Sequence, residues 1–238
     1  MNENRIKNSV SMTNVFIVIN LLFFLIVSWQ SGSLLTPSGS ALFLWGAKDS
    51  FKILEGEYWR YLTPVFLHIG VVHFFVNNYS LRMLGPHAEK IFGSKRFVLI
   101  YLLTGFIGNV ASASYQPYPG AGASGALFGI LGACFWFEWN MSRSKNPLIA
   151  RSSMVKSFVP VIVINVIIGL MVPMIDQAAH LGGLVSGVML TEILLSIQRN
   201  NLRKPHPIRG FALILVSCLF VLLGLYLSSH GIFLGLNL

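Results

Sequence analysis

The sequence predicts an all-α protein that crosses a lipid bilayer several times. Hydrophobic residues fill 54% of its 238 positions and charged residues only 11%, and the mean hydropathy is +0.69. A soluble domain carries about 25% charged residues, so this composition indicates a chain whose solvent is the bilayer. A helix needs about 20 apolar residues to cross the hydrocarbon core. Seven runs approach that length: 13–29, 64–84, 97–113, 123–140, 157–173, 178–197 and 210–228.

Basic residues are distributed unevenly among the segments that connect these runs. Of the 17 Lys and Arg residues, all but three lie before the first run or around the connections that follow the second, fourth and sixth runs. The three on the other side are Lys48, Lys52 and Arg60. Because cytoplasmic loops carry the excess of Lys and Arg, we expect a cytoplasmic N-terminus and an outer C-terminus. The net charge of +9 therefore reports topology, and no nucleic acid partner is expected.

The chain divides into a cytoplasmic leader, a membrane domain, and a basic loop with a seventh span and a short outer tail: residues 1–12, 13–200 and 201–238. The first span lacks a small-residue cleavage site and is expected to be retained. The long connection 30–63 mixes turn formers with aromatic residues, which indicates a loop at the outer interface. Cys134 and Cys218 lie within apolar runs, so we expect neither a disulfide nor a metal site.

The second span carries polar residues that are costly in a bilayer. His73 and Asn77 are four positions apart and so share one helix face, and His68 lies earlier in the same run. Intramembrane His and Asn need a partner or a wet cavity, and by default they mark a functional site. Hydrogen bonding between neighbouring helices is the structural alternative.

A glycine-rich turn opens the fourth span, where residues 120–132 read GAGASGALFGILG. Ser124 falls in the first turn of the predicted helix, whose free N–H groups can receive an oxyanion. The stretch departs from the Gly-x-Ser-x-Gly elbow of soluble hydrolases, because Ala126 stands where the second glycine would be. Small residues at the start of a membrane helix also serve close packing, so this turn alone leaves both interpretations open.

The sixth span begins with a lone histidine, His180, followed on the same helix face by Gly183 and Gly187. Glycines at this spacing let the backbone of a neighbouring helix approach closely. Asp176 precedes the helix and is expected to cap it. A catalytic role for this carboxylate is not needed to explain its position.

The predicted topology brings these separate signals to one place. Spans two, four and six all run from the outside inward, so His73, Ser124 and His180 lie at one depth near the outer surface. A histidine within hydrogen-bond reach activates a serine near neutral pH. A small transporter, the alternative from another class, needs polar residues along the whole path across the bilayer, whereas this cluster lies on the outer side alone.

This combination of residues resembles the rhomboid family of intramembrane serine proteases. The motifs that carry the resemblance are Trp59-Arg60, His68, His73-x-x-x-Asn77, Gly122-x-Ser124-Gly125 and Ala179-His180-x-x-Gly183-x-x-x-Gly187. The resemblance implies a six-helix bundle, here with one additional C-terminal transmembrane helix, in a bacterial cytoplasmic membrane. It also implies no metal and no cofactor.

By that resemblance Ser124 is the nucleophile and His180 is the general base and acid. Asn77, His73 and the Ser124 amide would form the oxyanion hole, and Phe128 would pack under the catalytic imidazole. The supporting positions are Gly122, Gly125, Trp59, Arg60, His68, Gly183 and Gly187. The implied reaction is cleavage of transmembrane segments of other membrane proteins near their outer ends, through an acyl-enzyme. The alternative is an inactive rhomboid-like protein that binds or chaperones membrane clients. Loss of Ser124 or His180 would signal it, and both residues are present.

Overall fold

Five long helices dominate the computed structural model, which describes residues 11–142, 175–200, 222–227 and 230–232. They are α1 (Met12–Ser31), α4 (Val71–Phe92), α5 (Ser94–Tyr115), α6 (Ser124–Ser142) and α7 (Gln177–Asn200). Two short helices, α2 (Gly39–Leu44) and α3 (Ser50–Leu54), and two 3₁₀ turns, Tyr58–Tyr61 and Thr63–Phe66, lie between α1 and α4. The described part of the chain contains no β-strand beyond one isolated bridge between Lys48 and Gly120.

The prediction of an all-helical membrane protein is confirmed over these residues. Three helices are long and apolar enough to cross a membrane: Met12–Ser31, Ser94–Tyr115 and Gln177–Ile197. Helices α4 and α6 have 22 and 19 residues, or about 33 and 28 Å at 1.5 Å per residue. The predicted span 157–173 and most of the span 210–228 lie outside the described residues.

The second predicted span is wrong in its bounds. Residues 63–66 form a 3₁₀ turn with Pro64 near its start, and α4 begins only at Val71, after Gly70. The helix then continues through Pro86 to Phe92, beyond residue 84, where the predicted span ended. A proline inside a helix costs a hydrogen bond, and here the segment beyond it is held by buried Ala88 and Phe92.

Glu89 of α4 determines where α1 begins. Its carboxylate accepts hydrogen bonds from the Met12 amide at 3.0 Å, the Thr13 amide at 2.8 Å and the Ser11 hydroxyl at 2.8 Å. The first N–H groups of a helix have no partner within the helix and carry partial positive charge. The Glu89 carboxylate accepts hydrogen bonds from these N–H groups and supplies the opposite charge. It therefore links the start of α1 to α4.

Aromatic stacking and a buried amide pair hold α1 against its neighbours. The Phe16 ring stacks on Tyr101 of α5 with centroids 4.2 Å apart, and the Phe24 ring stacks on Phe74 of α4 at 4.6 Å. Between them the Asn20 side chain donates to the Asn78 side chain at 3.0 Å. Stacked aromatic pairs stabilise a fold beyond the contribution of the apolar area that they bury. These contacts therefore pack α1 tightly against α4 and α5.

Glycines bring α6 and α7 into backbone contact. A Cβ built on Gly183 would overlap the carbonyl oxygen of Gly125, and one on Gly187 would overlap that of Gly129. Only glycine fits at this distance, as expected where small residues line a helix interface in a membrane. This seam places the first turns of α6 and α7 side by side.

The C-terminal segment packs on the far end of α5. Within residues 222–227 the Gly224 carbonyl accepts a hydrogen bond from the Ser114 hydroxyl at 2.8 Å. Leu225 packs on a small core cluster that includes Tyr61 and Val110. This part of the predicted seventh span therefore contacts the bundle near the connection between α1 and α4.

Candidate active site

Ser124 is the first residue of α6, and the loop before it is held by backbone hydrogen bonds. The Gly122 amide donates to the Pro64 carbonyl at 2.9 Å. Gly122 has φ +146°, which disfavours a side chain. A Cβ there would lie 3.0 Å from His73 Nε2 and 3.7 Å from Ser124 Oγ. The missing side chain thus leaves room for the His73 ring, and both that ring and the Ser124 hydroxyl lie close to Gly122.

His180 lies in the first turn of α7, and Asp176 caps that turn as predicted. The Asp176 carboxylate accepts the Ala179 amide at 3.0 Å, and its backbone carbonyl accepts the His180 amide at 3.1 Å. The Ala179 carbonyl in turn faces α6, since a Cβ on Gly125 would lie 3.3 Å from its oxygen. The residues that neighbour Ser124 and His180 in sequence are therefore in contact.

Phe128 supports the histidine from the helix that carries the serine. Its ring lies 4.3 Å from the His180 imidazole, centroid to centroid, with 16° between the planes. Phe128 is four residues after Ser124 and so lies on the same face of α6. The packing of Phe128 under the imidazole, implied by the resemblance, is observed.

The other predicted site residues are Asn77 and His73 of α4 and His68, which lies just before that helix. Asn77 is 3% exposed, and its Nδ2 donates to the His73 carbonyl at 2.9 Å. A side-chain amide nitrogen carries two N–H donors, so this bond uses one of them. The His73 ring lies 5.5 Å from the ring of His68, which is buried at 1% exposure. His68 thus packs behind His73.

Arg60 organises the connection between α1 and α4. It is 5% exposed and donates to the Phe43 carbonyl at 2.9 Å and to the Ala47 carbonyl at 2.8 Å. It also pairs with Glu57 at 2.6 Å. The neighbouring Trp59 is 55% exposed. These hydrogen bonds and the ion pair of Arg60 all go to residues of the connection between α1 and α4. Arg60 therefore stabilises this connection.

Lys48 is a buried residue that belongs to none of the sequence motifs. Its side chain is fully buried and donates to the Ser112 hydroxyl at 2.7 Å and to the Gln116 carbonyl at 3.3 Å. Burial lowers the pKa of Lys48 from 10.5 to about 8, while Asp176 and Asp49 oppose that shift. A single lysine in a loop gives no signal that would have revealed this cluster.

The structure is that of a helical membrane protein in which a serine and a histidine lie in the first turns of two helices that pack through glycines. Over the described residues no group of three His, Cys, Asp or Glu side chains is placed to hold a metal ion. Residues 55–197 match the family model described as the Rhomboid domain. This chain belongs to the rhomboid family.

Three relatives illustrate the match. The chain is 35% identical to rhomboid protease GluP of Bacillus subtilis (strain 168), over 92% of this chain and 42% of that protein. It is 41% identical to RHOMBOID-like protein 6, mitochondrial, of Arabidopsis thaliana, over 68% of this chain and 52% of that protein. It is 33% identical to putative rhomboid protease YdcA of B. subtilis, over 63% of this chain and 73% of that protein. The chain spans about half the length of the first two relatives.

Proposed function

We propose that this protein is an intramembrane serine endopeptidase that cleaves transmembrane segments of other proteins near their outer ends. Its nucleophile is Ser124 and its general base and acid is His180. The observation that carries the proposal is the contact between the first turns of α6 and α7, where Gly125 faces the Ala179 carbonyl. Membership of a family with relatives named rhomboid proteases supports the same conclusion.

The chemistry follows from the roles of these two side chains. Ser124 Oγ attacks the carbonyl carbon of the scissile bond while a ring nitrogen of His180 takes the hydroxyl proton. Collapse of the tetrahedral intermediate breaks the C–N bond, and the protonated His180 gives its proton to the leaving amine. His180 then deprotonates a water molecule, which attacks the carbonyl carbon of the acyl-enzyme. The ester bond breaks, His180 returns the proton to Ser124 Oγ, and the acid product leaves.

Three donors are proposed to stabilise the oxyanion: the Ser124 backbone N–H, the Asn77 amide and the His73 ring. The first N–H groups of a helix are free and positively polarised, which suits the start of α6 to this role. The position of the His73 ring beside Gly122 and Ser124 Oγ supports the assignment. In other serine hydrolases one such donor contributes roughly 3 to 4 kcal/mol.

The architecture we propose is the six-helix bundle of residues 13–200 with an added seventh helix after a basic loop. The distribution of Lys and Arg supports a cytoplasmic N-terminus and an outer C-terminus. The membrane we propose is a bacterial cytoplasmic membrane, which only the resemblance implies. The substrates are transmembrane proteins in the same bilayer, and the mechanism uses no metal and no cofactor.

The function is tested with purified protein and a model single-span substrate in liposomes. The wild type should cleave the substrate, and Ser124→Ala should not. Ser196→Ala is the matched control, because that hydroxyl donates to the Ile193 carbonyl within α7, and it should cleave like the wild type. Cleavage by Ser124→Ala would contradict the proposal. Binding of the substrate without cleavage by the folded wild type would instead support an inactive rhomboid-like protein.

A further inference from the structure

A buried polar cluster connects the two halves of the proposed active site. Lys48 Nζ donates to the Ser112 hydroxyl at 2.7 Å, and that hydroxyl donates to the Asp176 carboxylate. Lys48 and Ser112 are both fully buried. The three side chains come from the connection after α2, from α5 and from the residue before α7. The reaction as proposed above assigns no role to Lys48 or Ser112.

The cluster is costly to bury and is therefore expected to have a use. An ammonium group taken out of water loses several kcal/mol of hydration, and only good hydrogen bonds and an opposite charge compensate for it. Both are present, since Lys48 bonds to Ser112 and to the Gln116 carbonyl and Asp176 supplies negative charge. An apolar side chain would fill the same space without this cost.

One side of the cluster contacts the loop that precedes Ser124. The backbone of Lys48 pairs with Gly120 in both directions, with the Lys48 amide donating at 2.7 Å and the Gly120 amide donating at 3.0 Å. Gly120 lies four residues before Ser124, in the loop that leads into α6. A Cβ on Gly120 would lie 3.5 Å from both Lys48 Cε and Asp176 Oδ2. The loop is thus fitted between the lysine and the aspartate.

The other side of the cluster is hydrogen-bonded to the first turn of α7. The same Asp176 that accepts from Ser112 also accepts the Ala179 amide at 3.0 Å through its second oxygen. The Asp176 carbonyl accepts the His180 amide at 3.1 Å. A movement of Asp176 would therefore move the first turn of the helix that carries His180.

We infer that Lys48, Ser112 and Asp176 are positioning residues that hold the loop before Ser124 and the helix of His180 in register. This inference rests on the proposed function. Lys48 contacts the loop through its backbone and reaches Asp176, at the start of the helix of His180, through the Ser112 hydroxyl. None of the three residues takes part in proton transfer.

The first test compares two lysines of the same connection. Lys48→Met keeps the length of the side chain and removes the ammonium, and kcat should fall roughly 10-fold to 100-fold with KM little changed, because small misplacements of reacting groups have effects of this size. Lys52→Met is the control, since Lys52 pairs with Glu55, the residue that follows its own short helix, and its kcat should match the wild type. A Lys48→Met protein with wild-type kcat would overturn the inference.

A second test separates the charge of Asp176 from its capping role. Asparagine caps helices about as well as aspartate, so Asp176→Asn keeps the cap and removes the charge that faces Lys48. We expect Asp176→Asn to lose kcat much as Lys48→Met does, and the double variant to be little worse than either, because the residues form one network. Full activity of Asp176→Asn, or additive losses in the double variant, would contradict the network.

Folding and function are distinguished by a third measurement. The labelling rate of a fluorophosphonate probe per folded molecule should fall in Lys48→Met, whereas a purely structural role would lower only the folded fraction. If Lys48→Met does not fold, Ser112→Ala decides, because it removes a single oxygen and should also lower kcat; unchanged kcat would overturn the inference. The proposed function fails separately, namely if Ser124→Ala still cleaves.

Discussion

The His180 imidazole lies flat on the Phe128 ring, with centroids 4.3 Å apart and 16° between the planes. Phe128 is one helical turn after Ser124, so a single face of α6 presents both the proposed nucleophile and the surface against which the proposed base rests. A ring held by stacking has fewer orientations available. The orientation of the His180 imidazole, the proposed base, is therefore expected to depend on an aromatic residue at this position.

Replacement of Phe128 should affect the rate more than the binding of substrate. Phe128→Ala removes the stacked ring, and kcat should fall roughly 10-fold or more because the imidazole is no longer oriented. Phe128→Tyr keeps the ring and should retain most activity. The measurement is steady-state cleavage of a model substrate by each folded variant. Wild-type kcat for Phe128→Ala would show that the stack has no part in positioning His180.

Asn77 should act on the transition state. Asn77→Ala should lower kcat about 100-fold if its amide donates to the oxyanion, with a small change in thermal stability. Asn109 offers a matched control, because its buried amide donates to the Tyr61 carbonyl at 3.0 Å. Asn109→Ala should lower the melting temperature and leave activity per folded molecule unchanged. The opposite pattern would make Asn77 a structural residue.

Stability should depend on pH through Lys48. Its pKa is lowered from 10.5 to about 8 by burial, against the charges of Asp176 and Asp49. Between these values the unfolded chain binds the proton that the folded protein has released, so the contribution of Lys48 to the free energy of unfolding rises with pH. The melting temperature of the wild type relative to Lys48→Met should therefore increase from about pH 8 to pH 10.5.

Lys52 provides the control of opposite sign. Its pKa is raised by the hydrogen bond to Glu55, so any contribution to stability is present below the ordinary pKa and is lost as the pH rises further. The difference between the wild type and Lys52→Met should not increase with pH. A flat or falling difference for Lys48→Met would contradict the buried, weakly basic state of Lys48.

The tail after the predicted seventh span should lie outside, and the span itself should stabilise the protein without taking part in catalysis. A reporter that is active only outside should be active when fused after Leu238 and silent when fused near Lys204, because the basic loop stays in the cytoplasm. Truncation after Arg203 removes the bond between Ser114 and Gly224, so it should lower stability and leave measurable cleavage. A reversed reporter pattern would contradict the outer location of the site.

Local signals predicted the parts of the site that depend on neighbours in sequence. Asp176 precedes its helix, Ser124 follows a glycine turn, and Gly183 shares a face with His180. These adjacent positions were enough to predict the Asp176 cap, the place of Ser124 in the first turn of α6 and the close helix contact at Gly183. Helix packing through small residues was predicted for the same reason.

The features that were missed join distant positions. Lys48 reaches Ser112, 64 residues away, and Glu89 accepts the Thr13 amide from 76 residues away. A lone lysine and a lone glutamate show no periodic pattern, so their partners emerge only when the chain is folded. The continuation of α4 past Pro86 also depends on tertiary packing, which the local sequence does not reveal.

The proposed Ser124–His180 dyad is tested most directly by the site and the rate of labelling with a fluorophosphonate probe. Purified wild-type protein in liposomes should form one adduct, mapped by peptide mass spectrometry to Ser124. His180→Ala should label far more slowly while remaining folded, because serine and histidine act as a unit. Ser124→Ala should not label. Equal labelling of Ser124→Ala, or an undiminished rate in His180→Ala, would contradict the Ser124–His180 dyad.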